Sequence, residues 1–305
     1  MIRILTCLQD GHDLRLVILA AATALVGSVV SARLFRMVPR ERGRRGAWFI
    51  VQSALIGGAT IWTTHFVAML GFEPDAPHGY DPVLTLLSLA IAMGGVLVGQ
   101  MMIRAADGSR LAEGGGAVMG GAIVAMHYVG MASLEISAMM LWDLDLVAAS
   151  IVAGPLFGAL SANRMARPGS SRSWLVGEGM FLLAICLTHF TSMGALSVVP
   201  TGEPAPGDMH LIPDSLLAGM VASVTTLILM VGATSFMIDE AGRREHGERM
   251  SHAALHDALT GLPNRASLRR SLERLLSSPP TVEAGIAVVA IDLDRFKQIN
   301  DGHGH

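Results

Sequence analysis

The chain is 305 residues long, 51% hydrophobic and only 15% charged, with a formal net charge of −3 and a mean hydropathy of +0.51. That balance excludes an ordinary soluble domain, and no nucleic-acid partner is expected. With only two cysteines, Cys7 and Cys186, neither a disulfide framework nor a zinc-type cysteine cluster is implied.

Seven mostly apolar stretches, near 14–32, 47–70, 83–103, 115–141, 146–163, 174–198 and 214–238, are each long enough to cross a hydrocarbon core of about 30 Å as a helix. Residues 1–25 read as the first span rather than a cleaved signal peptide. Arg3 is balanced by Asp10 and Asp13, and the apolar run outlasts a signal segment. Basic residues sort the loops. Arg33, Arg36, Arg40, Arg42, Arg44 and Arg45 follow the first span, Arg104 and Arg110 the third, and Arg164, Arg167 and Arg172 the fifth. The other side holds Arg3 and Arg15 and the acids Glu73, Asp75, Asp81, Asp143, Asp145, Glu203 and Asp208. Short basic loops stay in the cytoplasm, so the expected topology puts the N-terminus outside and the C-terminus inside.

At Asp239 the composition turns charged, and 239–256 reads as a helical connector whose Met250, Ala254 and Leu255 form a modest apolar side suited to pairing with a second copy. From Asp257 a soluble domain is expected. Leu259 to Arg265 is a wide turn, with Gly261 and Asn264 suited to positive φ. A helix from Ala266 to about Ser277 follows, and then the apolar run 285–291, read as a strand buried on both faces. A lone strand flanked by helices exposes its edges, so the chain is expected to be the N-terminal part of a longer protein.

Within the spans one pattern recurs at a spacing of 62 residues: Thr64-His65-Phe66-Val67-Ala68-Met69, Met126-His127-Tyr128-Val129-Gly130-Met131 and Thr188-His189-Phe190-Thr191-Ser192-Met193. Such a period marks an internal repeat of two spans. Residues four apart share a helix face, so each station presents an imidazole and a thioether together, at comparable depth in spans two, four and six. One such histidine alone reads as packing. Three equivalent ones point to function, because ionisable groups at membrane depth are rare. A nitrogen-and-sulfur environment of this kind favours copper, especially Cu(I). Glu135 reads as an interfacial group, and Cys186, one turn before His189, could add a thiolate.

These stations resemble the MHYT family of bacterial integral membrane sensors over about residues 10–240. The resemblance implies a copper site near the outer face, built from His65, Met69, Met126, His127, Met131, His189 and Met193, and through copper a diatomic gas ligand. Only Met126-His127-Tyr128 keeps the first three letters of the motif; Thr64 and Thr188 replace the leading methionine, which shifts the expectation to the histidines and the methionines one turn later. A retinal protein is excluded, since its Schiff base needs a membrane lysine and the only lysine is Lys297. A copper channel would continue polar residues through the opposite halves of the three helices, where only Gln52 and the edge residue Glu178 stand out.

In the last segment, Asp292 at the end of the predicted strand can hold a divalent cation, Lys297 can meet phosphate oxygens, and Asn300 offers an amide to a purine edge. Together with Asp257-Ala258-Leu259-Thr260-Gly261-Leu262-Pro263-Asn264-Arg265, these residues resemble the opening of a GGDEF diguanylate cyclase domain. By that resemblance Asp292 binds Mg²⁺, Phe296 and Lys297 lie along the triphosphate of GTP, Asn300 reads guanine, and a homodimer joins two GTP molecules into cyclic di-GMP. The namesake loop is absent, so this fragment is expected to be inactive.

The expected fold is an all-α polytopic membrane domain over 1–238, three two-helix repeats plus one helix, then the connector 239–256 and a truncated α/β domain over 257–305. The expected role is a sensor in the bacterial inner membrane that controls cyclic di-GMP synthesis. The alternatives are a degenerate output, an output followed by an EAL phosphodiesterase domain, or a copper-binding membrane protein without enzymatic output.

Overall fold

The computed structural model describes residues 11–37, 43–72, 74, 76–106, 109–166, 171–200, 210–277, 287–292, 294–295 and 301–302. The chain divides into two compact units, Met1–Ile238 and Asp239–His305.

The first unit is built on seven helices, each long and apolar enough to cross a membrane: α1 (Leu14–Met37), α2 (Arg44–Leu70), α3 (Pro82–Ala105), α4 (Ser109–Ala132), α5 (Leu144–Ala166), α6 (Ser171–Ala195) and α7 (Asp214–Leu255). At 1.5 Å per residue the six shorter ones span about 35–40 Å. This is a multi-pass membrane protein. Successive helices from α1 to α6 pack as neighbours, and α2, α4 and α6 meet inside the bundle. Of the apolar part of α2, 89% is buried, against 17% for α7.

Small residues bring α4 and α5 together. A Cβ on Gly116 would strike the carbonyl of Gly158, and one on Gly120 the carbonyl of Gly154. Close backbone approach of this sort is what holds helices in lipid, where apolar burial between helices adds little.

At the end of the bundle where α2, α4 and α6 finish, four short strands replace helix. β1 (His78–Tyr80) pairs antiparallel with β2 (Leu134–Ile136), and β3 (Ala138–Trp142) with β4 (Leu196–Pro200). Span four therefore stops at Ala132 rather than reaching 141, and span six stops at Ala195 rather than 198. Backbone groups in 134–136 and 138–142 find cross-strand partners instead of i−4 carbonyls. Ser133 ends α4 by donating its amide to the carbonyls of Val129 and Gly130 and its hydroxyl to Gly130. Asp81 opens α3 by accepting from the Leu84 amide at 2.7 Å, with Pro82 at the first helical position. Tyr80 exchanges both backbone hydrogen bonds with Ile212, tying the approach to α7 to this layer. The Asp13 amide donates to the carbonyl of Gly71 at 2.8 Å, which ties down the start of α1.

In the second unit α7 continues to Leu255 and turns into α8 (Arg265–Ser277). Gly261 takes the expected positive φ, 69°. Asn264 does not; its side-chain oxygen caps α8 by accepting from the amides of Ala266 and Ser267, while its Nδ2 donates to the carbonyl of Ala254. The Asp257 carboxylate accepts from the Thr260 amide and hydroxyl and the Leu259 amide. Those bonds, the Thr260 amide first, hold its carboxyl below the usual carboxylate range. The strand predicted at 285–291 is not formed over the described residues 287–291, where Val288, Val289 and Ile291 are exposed. A strand needs a ladder partner, and no described residue pairs with this segment.

Candidate metal centre

α2, α4 and α6 bring His65, His127 and His189 to one point. All three are buried, at 3%, 1% and 6% exposure. The Nδ1 of His65 lies 3.2 Å from that of His127 and 3.3 Å from that of His189. The three rings stand nearly perpendicular to one another, with centroids 4.9, 5.2 and 5.3 Å apart. Among the described residues this is the one group of three or more histidine, cysteine or carboxylate side chains close enough to share an ion.

A neutral imidazole carries one N–H, so the Nδ1 of His65 can donate to only one of its two neighbours, and protons alone leave the triangle partly unsatisfied. A single cation answers all three lone pairs. Metal–imidazole bonds of about 2.0–2.1 Å place tetrahedral ligand nitrogens about 3.3–3.4 Å apart, close to the spacings observed. The Nε2 atoms of all three rings are buried without a partner, as are the hydroxyls of Thr63, Thr64, Thr188 and Ser192 on the same helices. Buried polar groups left unpaired are costly, and their concentration here makes this cluster the candidate site.

A cavity of about 50 Å³ adjoins the triad. Aliphatic walls from α1 (Val17, Ala20, Ala21) and α6 (Ile185) enclose it together with the three histidines and Cys186. Its volume exceeds that of one water-sized sphere and suits a molecule of two heavy atoms. Thr64, Met126 and Thr188, the residues immediately before each histidine, all line it. Met69, Met131 and Met193 are buried in the hydrophobic core and are not among its lining residues. Of the four methionines of the stations, Met126 is the one that lines the cavity, where Cys186 is the other sulfur residue. In the second unit Asp292 is exposed, while Phe296, Lys297 and Asn300 lie outside the described residues.

Three features escape the repeat pattern. His12 is buried with its ring 6.2 Å from that of His189, between Phe72 at 5.6 Å and Phe190 at 6.0 Å; its position just before the first span, on the side where the stations lie, was the available signal. Gly130 leaves room for the triad, since a Cβ there would lie 2.5 Å from the Nε2 of His65. Glu178 is buried in the bundle, at 5% exposure, with Oε2 lacking a partner. Near it along α6 and at the end of α1, the guanidinium of Arg36 sits 4.6 Å over the ring of Trp174.

The family described as the MHYT bacterial signalling protein N-terminal repeat matches residues 58–116 and 120–178, and the diguanylate cyclase GGDEF domain matches residues 254–305. The chain is 32% identical to the bifunctional diguanylate cyclase/cyclic di-GMP phosphodiesterase MucR of Pseudomonas aeruginosa, over 98% of this chain and 46% of that protein. It is 30% identical to the cyclic di-GMP phosphodiesterase NbdA of the same organism, over 97% and 42%, and 28% identical to a signalling protein of Caulobacter vibrioides, over 99% and 51%. It thus spans about half the length of the curated relatives it matches. No solved structure matches it. The two MHYT matches each contain one histidine of the triad, and the third histidine arrives at the same period; the chain carries MHYT repeats in its membrane domain, followed by a GGDEF region.

Proposed function

We propose that this protein is a sensor of the bacterial inner membrane in which His65, His127 and His189 hold copper and the state of that centre controls the making of cyclic di-GMP from GTP. The observation that carries the reading is the Nδ1 triangle, with edges of 3.2 and 3.3 Å, set in a buried pocket of unpaired polar atoms. Three imidazoles with the Met126 thioether favour Cu(I) over harder ions. Bound copper would supply a redox-active centre able to take up a diatomic gas. The protein's own part is to fix three nitrogens at metal distance, exclude water with the aliphatic wall, and leave a small apolar space beside them for such a ligand. The basic loops support an outward N-terminus and a cytoplasmic C-terminus.

For the output, the GGDEF resemblance supports Asp292 as a Mg²⁺ ligand, Phe296 and Lys297 along the triphosphate, Asn300 on guanine, and a homodimer as the working unit. Because relatives include a bifunctional enzyme and a phosphodiesterase, a bifunctional or degenerate output is the second reading.

Metal analysis tests the sensor. Protein purified after copper loading should retain the metal, and joint replacement of His65, His127 and His189 by leucine should abolish retention; equal copper in both refutes the reading. Full-length protein should convert GTP to cyclic di-GMP and lose that activity on Asp292→Ala; no synthesis by the wild type selects the second reading.

A further inference from the structure

We propose that His252 and His256 form a binding site for one zinc ion at the C-terminal end of α7, separate from the membrane histidines. The two residues stand four apart: His252 lies in the last turn of α7, and His256 is the residue that follows its last, Leu255. Their rings are stacked, with centroids 3.8 Å apart and planes 4° from parallel. His252 is exposed and His256 half-buried, so the pair is open to solvent.

Three observations make this more than two neighbouring rings. The Nδ1 of His256 lies 2.9 Å from the carbonyl oxygen of His252. An N–H there donates to the carbonyl, which leaves Nε2 with its lone pair outward; a ring N–H held by a backbone carbonyl is the usual support of a metal-binding histidine. The last carbonyls of the helix and the negative end of its dipole favour a cation at this terminus. The turn beneath is also fixed: the Asn264 side chain donates to the carbonyls of Ala254 and His256, and the Asp257 carboxylate is engaged by Thr260 and Leu259. The pair therefore projects from a braced helix end, which lowers the ordering cost of binding.

An i, i+4 histidine pair on one helical face is the spacing that holds zinc elsewhere. With the His256 ring held by its carbonyl bond, rotation of the exposed His252 ring about Cβ–Cγ brings the second lone pair to the ion. Two imidazoles leave two positions of a tetrahedral zinc for water. Between the histidines stand Ala253, Ala254 and Leu255, none of which can act as a general base. The site is thus a clasp, not a hydrolytic centre. It links side chains one turn apart where the GGDEF match begins, at residue 254, so its occupancy stiffens the helix end that enters that domain.

Calorimetric titration of the full chain in detergent with a zinc salt tests this, comparing wild type with His252→Gln and His256→Gln. All three keep the membrane histidines, so their difference isolates the clasp. The expected result is a saturable zinc site in wild type whose affinity falls at least tenfold in either variant, together with slowed amide exchange over residues 252–256 on zinc addition in wild type alone. His252 is exposed, so its glutamine variant keeps the fold and preserves the test if His256→Gln does not. Equal zinc affinity in wild type and His252→Gln, or no zinc-dependent change in exchange, overturns the proposal.

Discussion

Two buried polar clusters occupy the same helix bundle, and they are built on opposite terms. In one, the hydroxyl of Ser31 donates to the carbonyl of Ser53 at 2.8 Å, the hydroxyl of Ser53 donates to the carbonyl of Ser31 at 2.7 Å, and Nε2 of Gln100 donates to the hydroxyl of Ser53 at 2.8 Å. Apart from Oε1 of Gln100, every polar side-chain atom in it is engaged. In the other, three imidazoles crowd together with each Nε2 unpaired, beside hydroxyls that are also unpaired. The first is what joins α1, α2 and α3 in lipid. The second leaves buried polar groups unpaired at a cost in stability, which is what sets it apart as the candidate functional site. The satisfaction of hydrogen bonds, not polarity as such, separates glue from chemistry in this membrane domain.

That contrast can be broken by substitution. The largest expected effect is at the triad: replacing His65, His127 and His189 by leucine should remove the metal and leave the metal-free protein as stable or more so, since unpaired buried groups disappear with the rings. Thermal unfolding in detergent, read beside metal content, checks both halves. Next is Gly130→Ala. Its methyl would press on Nε2 of His65, and a displaced ring should weaken metal binding by about tenfold, about 1.4 kcal/mol, while leaving the helices intact. Competition with a copper chelator measures it.

In the satisfied cluster the signs reverse. Ser53→Ala should cost about 0.6–1.7 kcal/mol of stability, the range for interhelical hydrogen bonds in membranes, with metal content unchanged; loss of metal there would erase the distinction drawn between the clusters. The smallest effect lies in the second unit. The Asp257 carboxyl is held below its ordinary range by the Thr260 and Leu259 donors, so its support of the turn is present above the unfolded carboxylate value and is lost as pH falls through the lower folded one. Amide exchange at Thr260 should rise only in that acidic window, and Asp257→Asn should remove the pH dependence.

Much of this was legible in the residues. Length and hydropathy mark seven spans, and the 62-residue period marks the three histidines, because helix propagation and repeat spacing are local or periodic properties. The strands were not legible. His78 pairs with Ile136 and Trp142 with Leu196, and apolar residues such as Met139 and Leu141 beside a span extend a hydropathy window whether or not they are helical. The Ser31 and Ser53 bridge was hidden because a serine in a membrane helix ordinarily bonds back to its own turn, as Ser28 does to Leu25. The role of the residues before the histidines depends on helix rotation: Thr64, Met126 and Thr188 reach the cavity while the methionines four positions after the histidines pack into the core. Periodicity places both sets near the histidines and does not rank them.

X-ray absorption on the copper-loaded protein tests the central claim most directly. The account predicts a first shell dominated by imidazole nitrogen at about 2.0 Å, with a sulfur contribution that disappears in Met126→Leu and persists in Met69→Leu, Met131→Leu and Met193→Leu. A copper spectrum without imidazole scattering, or one unchanged when His65, His127 and His189 are replaced, would contradict it.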